Sequence, residues 1–573
     1  MRLPEPPASI PATSIPDLDK AVAELRSHAD RWAAADIGTR LRLLDTVREG
    51  YFRVAEDQVR AACAAKRIPF DEPVSAEEWL GGPMTVLRNV RLLTESLKEI
   101  QANGHPNLLP EKILPNGQRA VKVFPNSLKD TLLFQGFEGW VWLQKGEEKG
   151  ALTDHMAEHY RHPPAHGRVS LVLGAGNVAS IATMDALYKL FVEKEVVILK
   201  MNPVNEYLGP FIEKAMKAFI DEGFLRVVYG GAAVGSHLCY HEGVDDIHIT
   251  GSDITHDIIV WGPPGPERES RKTRNEPLLK KPITSELGNV SPVMIVPGQF
   301  TEVELESMAE NVATQLTNNG GFNCNAAKVL LTSKGWSQRG RFMDLLKGVL
   351  ASIPPRPAYY PGAAQRHATW TEGHDHVDMI GPRVEGTLPW AIIHDVDCAD
   401  EHQRCFTSEA FCGIMADTTL APSDPGEFLR EAVNFSNNKL FGTLSCTIMV
   451  DPRMEKSPTF APVLEQAITD LKYGAVVINH WAAIAYGLVV TPWGGHSGAT
   501  LDNVQSGIGW AHNSVMLDKP QKSVIRGPLV VKPKPPWFRT HRNNHNVARA
   551  LTEFEYDASW FKLPAIVLNA LKA

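Results

Sequence analysis

Cys324 lies in the run Asn318-Asn319-Gly320-Gly321-Phe322-Asn323-Cys324-Asn325-Ala326, a glycine-bearing, amide-rich loop followed by the strand-like Ala327-Lys328-Val329-Leu330-Leu331. A thiol becomes a nucleophile when hydrogen-bond donors stabilise its thiolate, and backbone N–H groups of such a loop also suit the alkoxide that forms on an attacked carbonyl. The same residues describe a structural cysteine in a tight loop equally well. Glu286 is the only charged residue between Lys281 and Glu302. In apolar surroundings its ionised form is disfavoured and its pKa rises, which suits a general base near neutral pH; a capping or bridging Glu at a domain junction is the alternative.

Two further spots suit a nucleotide. Gly174, Gly176 and Ala179 follow a strand-like run and precede a helical one, matching the G-x-G-x-x-(G/A) turn that lets a pyrophosphate approach a helix N-terminus. Lys200 stands where that pattern expects an acidic residue after the second strand, a departure from the usual dinucleotide cradle. Gly251 and Ser252 end another strand and start a helix, whose free N–H groups form an anion site even where Ser252 serves as N-cap.

These residues need a scaffold, and the chain is long enough for two or three structural units at 573 residues. From about Ile15 to Leu97 apolar residues recur three and four apart, predicting a helical layer. Residues 118–145 alternate as a long β-hairpin would. Strands at 168–174, 195–201, 225–231 and 245–251, separated by helices at 180–194 and 206–223, predict a parallel sheet with crossover helices and a ligand site at its carboxyl edge. The charged, proline-bearing 263–281 stretch reads as a surface insertion, and a second α/β set runs from Ser285 to about Trp493.

A net charge of −8 without a basic run argues against nucleic acid as a partner. The proline-rich start lacks a secretion pattern and no apolar run is long enough to span a membrane, so a cytoplasmic protein is expected. Seven scattered cysteines without a CxxC pair predict neither a disulfide framework nor a metal site. Cys398, Cys405 and Cys412 recur every seven residues, but Gly413 and the strand-like run after it favour coincidence over a helical stripe.

Taken in order, the pieces resemble the aldehyde dehydrogenase superfamily from about residue 120 to about 515. Asn177 after a strand, Lys200 after Val-Val-Ile-Leu, Thr250-Gly251-Ser252, Glu286-Leu287-Gly288, Gly321 to Ala326 around Cys324, Glu409-Ala410-Phe411 and Pro492 to Gly495 follow the family's succession of motifs. The resemblance implies an α/β fold of two parallel-sheet domains plus a β-hairpin oligomerisation arm. Residues 1–117 and 165–287 would form the cofactor-binding domain, 288–490 the catalytic domain, and 118–164 with 491–573 the arm and tail. It implies NAD(P)-dependent oxidation of an aldehyde to an acid in a dimer or tetramer. Cys324 would attack, Glu286 would activate the hydrolytic water, and Asn177 would donate to the oxyanion with the Cys324 N–H. Lys200, Gly251, Ser252, Leu287, Glu409 and Phe411 would hold NAD or NADP, the choice left open because Lys200-Met201-Asn202-Pro203 lacks the carboxylate that often excludes a 2′-phosphate.

Departures bear on the substrate. Ala175-Gly176-Asn177-Val178-Ala179 is closer to the fatty acyl-CoA reductase branch, Asn289-Val290 follows Glu-Leu-Gly where Gly-Lys is usual, and Phe322 replaces a usual Gln. A thioester reductase of the same superfamily and a catalytically silent NAD(P)-binding protein are the competing readings; retention of Glu286 weighs against the first, and of Cys324, Glu286 and Asn177 together against the second. Phe322, Trp481 and Trp493 are candidate walls for an apolar or aromatic aldehyde, and core packing accounts for them as well.

Overall fold

The computed structural model describes residues 10–573; the proline-rich start through Ser9, and with it the opening of the 1–117 segment, lies outside them. The expected helical layer comprises α1 (Ile15–Ala33), α2 (Ile37–Lys66), α3 (Ala76–Trp79) and α4 (Thr85–Asn103). Ser14 and Asp36 cap α1 and α2 by accepting from backbone N–H groups three residues on. In α1 the buried Leu18, Val22, Leu25, Ala29 and Trp32 form one stripe at helical spacing.

Next come β1 (Glu111–Ile113), β2 (Arg119–Phe124), a short helix α5 (Leu128–Leu133) and β3 (Glu138–Leu143). The first α/β unit contains β4 (Val169–Leu173), β5 (Val196–Lys200), β6 (Leu225–Val228), β7 (Asp246–Gly251) and β8 (Ile283–Leu287). They form a parallel sheet in the order β6-β5-β4-β7-β8, so the chain reverses direction across the sheet beside β4. Helix α1 covers this sheet. The charged 263–281 stretch includes a helix, Pro266–Arg274, with no buried residue, as a surface insertion should.

The second sheet collects β9 (Ser291–Ile295), β10 (Ala327–Ser333), β12 (Val377–Ile380), β14 (Trp390–Ile393), β15 (Ile414–Leu420), β16 (Ser445–Met449), β17 (Ala475–Ile478) and β18 (Pro520–Arg526), while β11 (Arg356–Pro357) and β13 (Thr387–Leu388) make a separate ribbon. Its eleven strands run β1-β2-β3-β18-β17-β16-β9-β10-β15-β14-β12, parallel at the centre and antiparallel at both margins. The expected hairpin therefore differs in two ways from a free arm. Its strands pair antiparallel but α5 separates them, and β3 docks on β18 of the same chain, Trp140 opposite Val524. The cause is local: β2 and β3 are buried along most of their length, and only a neighbouring strand satisfies the outer edge of β3. Cys405 lies in a one-turn helix and Cys412 beyond it, so the seven-residue recurrence builds no stripe.

After β18 the chain returns across the helical layer as an extended proline-rich stretch and two helices, Asn544–Asp557 and Leu563–Ala570. The junction is electrostatic. Arg88 of α4 is fully buried and pairs with Glu555 (2.8 Å) and with Asp130 of α5 (3.1 Å), while its Nε donates to the Leu488 carbonyl (2.9 Å). Arg91 completes Glu555 at 2.8 Å. Removing one member of such a group strands buried charge. Arg88→Met should therefore destabilise the fold by about 3–5 kcal/mol, read as a lowered urea midpoint of tryptophan fluorescence; an unchanged midpoint would show that the tail docks without this cluster.

Candidate active site

The carboxyl edge of the first sheet faces the loop that carries the thiol. Asn177 lies in the turn after β4, Lys200 ends β5, Gly251 and Ser252 follow β7, and Glu286 and Leu287 are the last residues of β8. Parallel register sets Thr250 beside Glu286 and Gly251 beside Leu287. Cys324 arrives from the other unit, on the loop between the helix Glu302–Thr317 and β10.

That loop is tightly wound. Asn319, Gly320 and Gly321 take φ of 52°, 68° and 80° in succession, and a Cβ on Gly321 would come within 2.6 Å of the Cys412 carbonyl carbon, so glycine is required there for both reasons. A buried polar cluster holds the turn. Lys66, the last residue of α2, donates to Glu78 (2.8 Å), to the Asn319 Oδ1 (3.0 Å) and to the Asn177 carbonyl (3.1 Å). Asn319 donates its backbone N–H to Glu77 (3.1 Å) and its amide to the Asn177 carbonyl (3.0 Å), and Tyr359 donates to its Oδ1 (2.9 Å). Glu77 also pairs with Arg356 (2.6 Å) and Arg539 (3.1 Å). On the other side of the thiol, Trp481 Nε1 donates to the Asn325 carbonyl at 2.8 Å.

The two candidate reacting groups line one cavity and lie close enough to shift each other, and the Glu286 carboxyl accepts from Trp493 Nε1 at 3.1 Å. Burial pushes the Glu286 carboxyl up to about 7, with the nearby thiol and the Trp493 hydrogen bond opposing. Burial, then the carboxylates of Glu286 and Glu409, hold the Cys324 thiol well above its ordinary value. Cys324 is therefore held as a neutral thiol beside a carboxyl, and not as the donor-stabilised thiolate that its loop suggested. Asn177 donates one amide hydrogen to the Phe322 carbonyl (3.0 Å) and lines the same cavity as Cys324 and Glu286.

The residues expected to hold a cofactor follow the carboxyl edge. Lys200 is buried and its ammonium lowered by that burial, with Glu206 opposing. Gly251 and Ser252 are exposed at the start of the helix Asp253–Trp261, and Ser252 Oγ accepts from the Thr255 N–H (3.1 Å). Leu287 is buried and donates its N–H to the Ser506 carbonyl (2.9 Å). Glu409 reaches over Gly288, where a Cβ would approach its Oε2 to 2.2 Å, and its Oε1 is buried without a partner among the described residues. Burial raises the Glu409 carboxyl, with the Lys328 ammonium opposing. Phe411, at φ 45°, packs edge-on to Tyr360. An orphaned carboxylate oxygen and an exposed helix start fit a ribose and a phosphate. The turn at 174–180 is buried, its Ser180 N–H bonded to the Gly81 carbonyl, so it packs on the helical layer and does not cradle a pyrophosphate.

A cavity of about 470 Å³ adjoins the thiol, lined there by Asn177, Glu286, Cys324, Trp481, Tyr486 and Trp493. Two of the three aromatic walls expected from the sequence are present. Phe322 is not one: it is fully buried, its ring stacked on Tyr360 and edge-on to Tyr359 (centroids 5.8 and 4.9 Å), which turns it away from the cavity. Lys66, Glu77, Asn319 and Tyr486 escaped the sequence reading. Lys66 at a helix end looks like any solvated cation there, and no local signal marks it.

The family model for the aldehyde dehydrogenase family matches residues 159–358, a span that includes Asn177, Lys200, Ser252, Glu286 and Cys324. The chain is 22% identical over 244 residues to geranial dehydrogenase of Castellaniella defragrans, covering 40% of this chain and 46% of that one, so the matched part spans under half of that relative. It is 22% identical over 444 residues to aldehyde dehydrogenase family 3 member F1 of Arabidopsis thaliana, covering 74% and 82%. Among solved structures it is similar to glyceraldehyde-3-phosphate dehydrogenase GapN of Methanocaldococcus jannaschii complexed with NADP, with a TM-score of 0.59, 14% identity, and 91% and 96% of the two chains covered.

The thiol–carboxyl contact yields a prediction of unusual sign. Because the Glu286 charge opposes ionisation of Cys324, Glu286→Gln should lower the thiol pKa and accelerate iodoacetamide labelling of Cys324 several-fold at pH 8.5 in the cofactor-free protein, followed by peptide mass spectrometry. Slower labelling would mean that Glu286 promotes the thiolate instead.

Proposed function

We propose that this chain, similar to the aldehyde dehydrogenase family over residues 159–358, oxidises an aldehyde to a carboxylic acid with NAD or NADP, through covalent attack by Cys324. One observation carries the reading: Cys324, a buried Glu286 anchored by Trp493 Nε1 at 3.1 Å, and Asn177 line one cavity, with burial raising the Glu286 carboxyl to about 7. As the sulfur adds to the aldehyde carbon its proton passes to Glu286, and the carbonyl oxygen becomes an alkoxide. The Asn177 amide hydrogen not engaged by Phe322, with the Cys324 backbone N–H, stabilises that charge.

Ser252, Lys200, Glu409 and Phe411 would hold the cofactor, which would supply the hydride acceptor; loss of hydride from the thiohemiacetal carbon would leave a thioester on Cys324. Glu286, having released the thiol's proton to solvent, takes a proton from water as it adds to the thioester and returns that proton to the thiolate that leaves. A base near 7 beside a buried thiol serves both halves. The lost carboxylate at Pro203 leaves NADP admissible beside NAD. Among the described residues no helix is long and apolar enough to cross a membrane, and all seven cysteines are free, which suits a reducing cytoplasm. The exposed edge strand β1 is the element a second copy would meet in a homo-oligomer.

The test is kinetic. At pH 8.5, where the thiol ionises more readily once the Glu286 charge is gone, Glu286→Gln should retain a single burst of reduced cofactor and then lose steady turnover by about 10²–10⁴-fold, and Cys324→Ser should lose both. The acidic limb of the wild-type kcat/KM profile should fall near pH 7, since Glu286 must be ionised to act, and should vanish in the Gln variant. An unimpaired steady rate in Glu286→Gln without CoA would defeat the hydrolytic mechanism; wild-type turnover only with CoA would favour thioester chemistry.

A further inference from the structure

The cavity beside Cys324 extends well past the reacting groups, and its remaining wall comes from parts of the chain outside the matched 159–358 span. Met84 borders α4, Leu133 and Phe134 come from α5 and its end, Val531 from the stretch after β18, and Leu551 and Ile566 from the two last helices. All are apolar. Three of the cations that reach this wall are paired, Lys66 with Glu78 at 2.8 Å, Arg539 with Glu77 at 3.1 Å, and Lys534 with Glu310 at 2.7 Å, while Lys532 is exposed to solvent at the rim.

The space is open at one side, because Leu132, 51% exposed, belongs both to its lining and to the surface. Its wall is also firm. Pro533, Pro535 and Pro536 restrict the stretch after β18, and the Arg88–Glu555 contact fixes the helix that presents Leu551. A volume of about 470 Å³ lies within the range of roughly 300–1,000 Å³ that holds a ligand of many heavy atoms. A two- or three-carbon aldehyde on Cys324 would leave most of it unfilled.

We infer that residues 528–570, with α5, make this site a receptor for elongated apolar aldehydes, the carbonyl at Cys324 and the hydrocarbon chain along Leu133, Val531, Leu551 and Ile566 toward the opening beside Leu132. This rests on the reading of Cys324 as nucleophile and adds to it the substrate class. The gain comes from area removed from water, so it accumulates with every carbon that enters the cavity.

The experiment compares linear aldehydes from propanal to decanal on the intact protein. The kcat/KM should rise about fourfold per methylene until the cavity is filled. Val531→Trp and Leu133→Trp, which place bulk in the outer cavity from half-buried positions away from Cys324, should lower decanal oxidation more than tenfold and leave propanal within twofold. Calorimetric binding of decanoate against butanoate to wild type and to each Trp variant supplies a readout that needs no turnover: decanoate should bind far more tightly, and only to the wild type. Chain-length independence in both assays, or Trp variants that lose propanal and decanal equally, would overturn the inference. Selective decanoate binding with no oxidation of any aldehyde would uphold the cavity and defeat the catalytic reading instead.

Discussion

A buried ammonium tolerates no vacancy in its surroundings, and Lys66 meets that demand by drawing three distant parts of the chain onto one atom. Its partners are Glu78 of the helical layer, the Asn177 carbonyl at the edge of the first sheet, and the Asn319 side chain at the start of the thiol loop. Losing any of them leaves charge or a carbonyl uncompensated in a dry interior. Asn177 and the Cys324 loop, which belong to different sheets, are thereby tied to a common point. Their mutual placement follows from satisfying the polar groups behind them.

The same dryness sets the chemistry. Removing water raises Glu286 toward neutrality and keeps Cys324 protonated, two effects with one cause. A carboxyl in solution would be too weak a base for a thiol, and a thiolate held ready would be open to oxidation and alkylation. Burial perturbs each group by itself; the Glu286 carboxylate then raises the thiol further, while the thiol eases ionisation of the carboxyl. Trp493 restrains the carboxyl by donating to Oε1, and Gly288 leaves the room through which Glu409 adds a second negative charge nearby.

What could be read in the sequence was what is local in it. Glu286 stood out as the single charge in an apolar run, and Cys324 by the glycines whose left-handed backbone the turn requires. The alternation of strands and helices from 168 to 251 likewise predicted the first sheet, because each crossover is contiguous in the chain. The rest depends on contacts across long separations. Lys66 and Asn319 are 253 residues apart, and no pattern around Lys66 foretells its burial. Phe322 was misplaced because its neighbours in sequence do not include Tyr359 and Tyr360, whose rings hold it away from the cavity. The docking of β3 on β18 was hidden for the same reason: alternation reveals that a strand has a buried face, not which edge will accept it.

The order in which the cavity's walls occur along the chain has a consequence for synthesis. Domains form from the N-terminal side as a chain leaves the ribosome. Both the helical layer and the first sheet precede Cys324, whereas Leu551 and Ile566 are translated long after it. During that interval the nascent protein carries a thiol loop whose outer cover does not yet exist, and β3 waits with an open edge for β18. The burial that keeps the Cys324 thiol protonated in the folded protein is incomplete until these helices dock, so that protection arrives together with the cover.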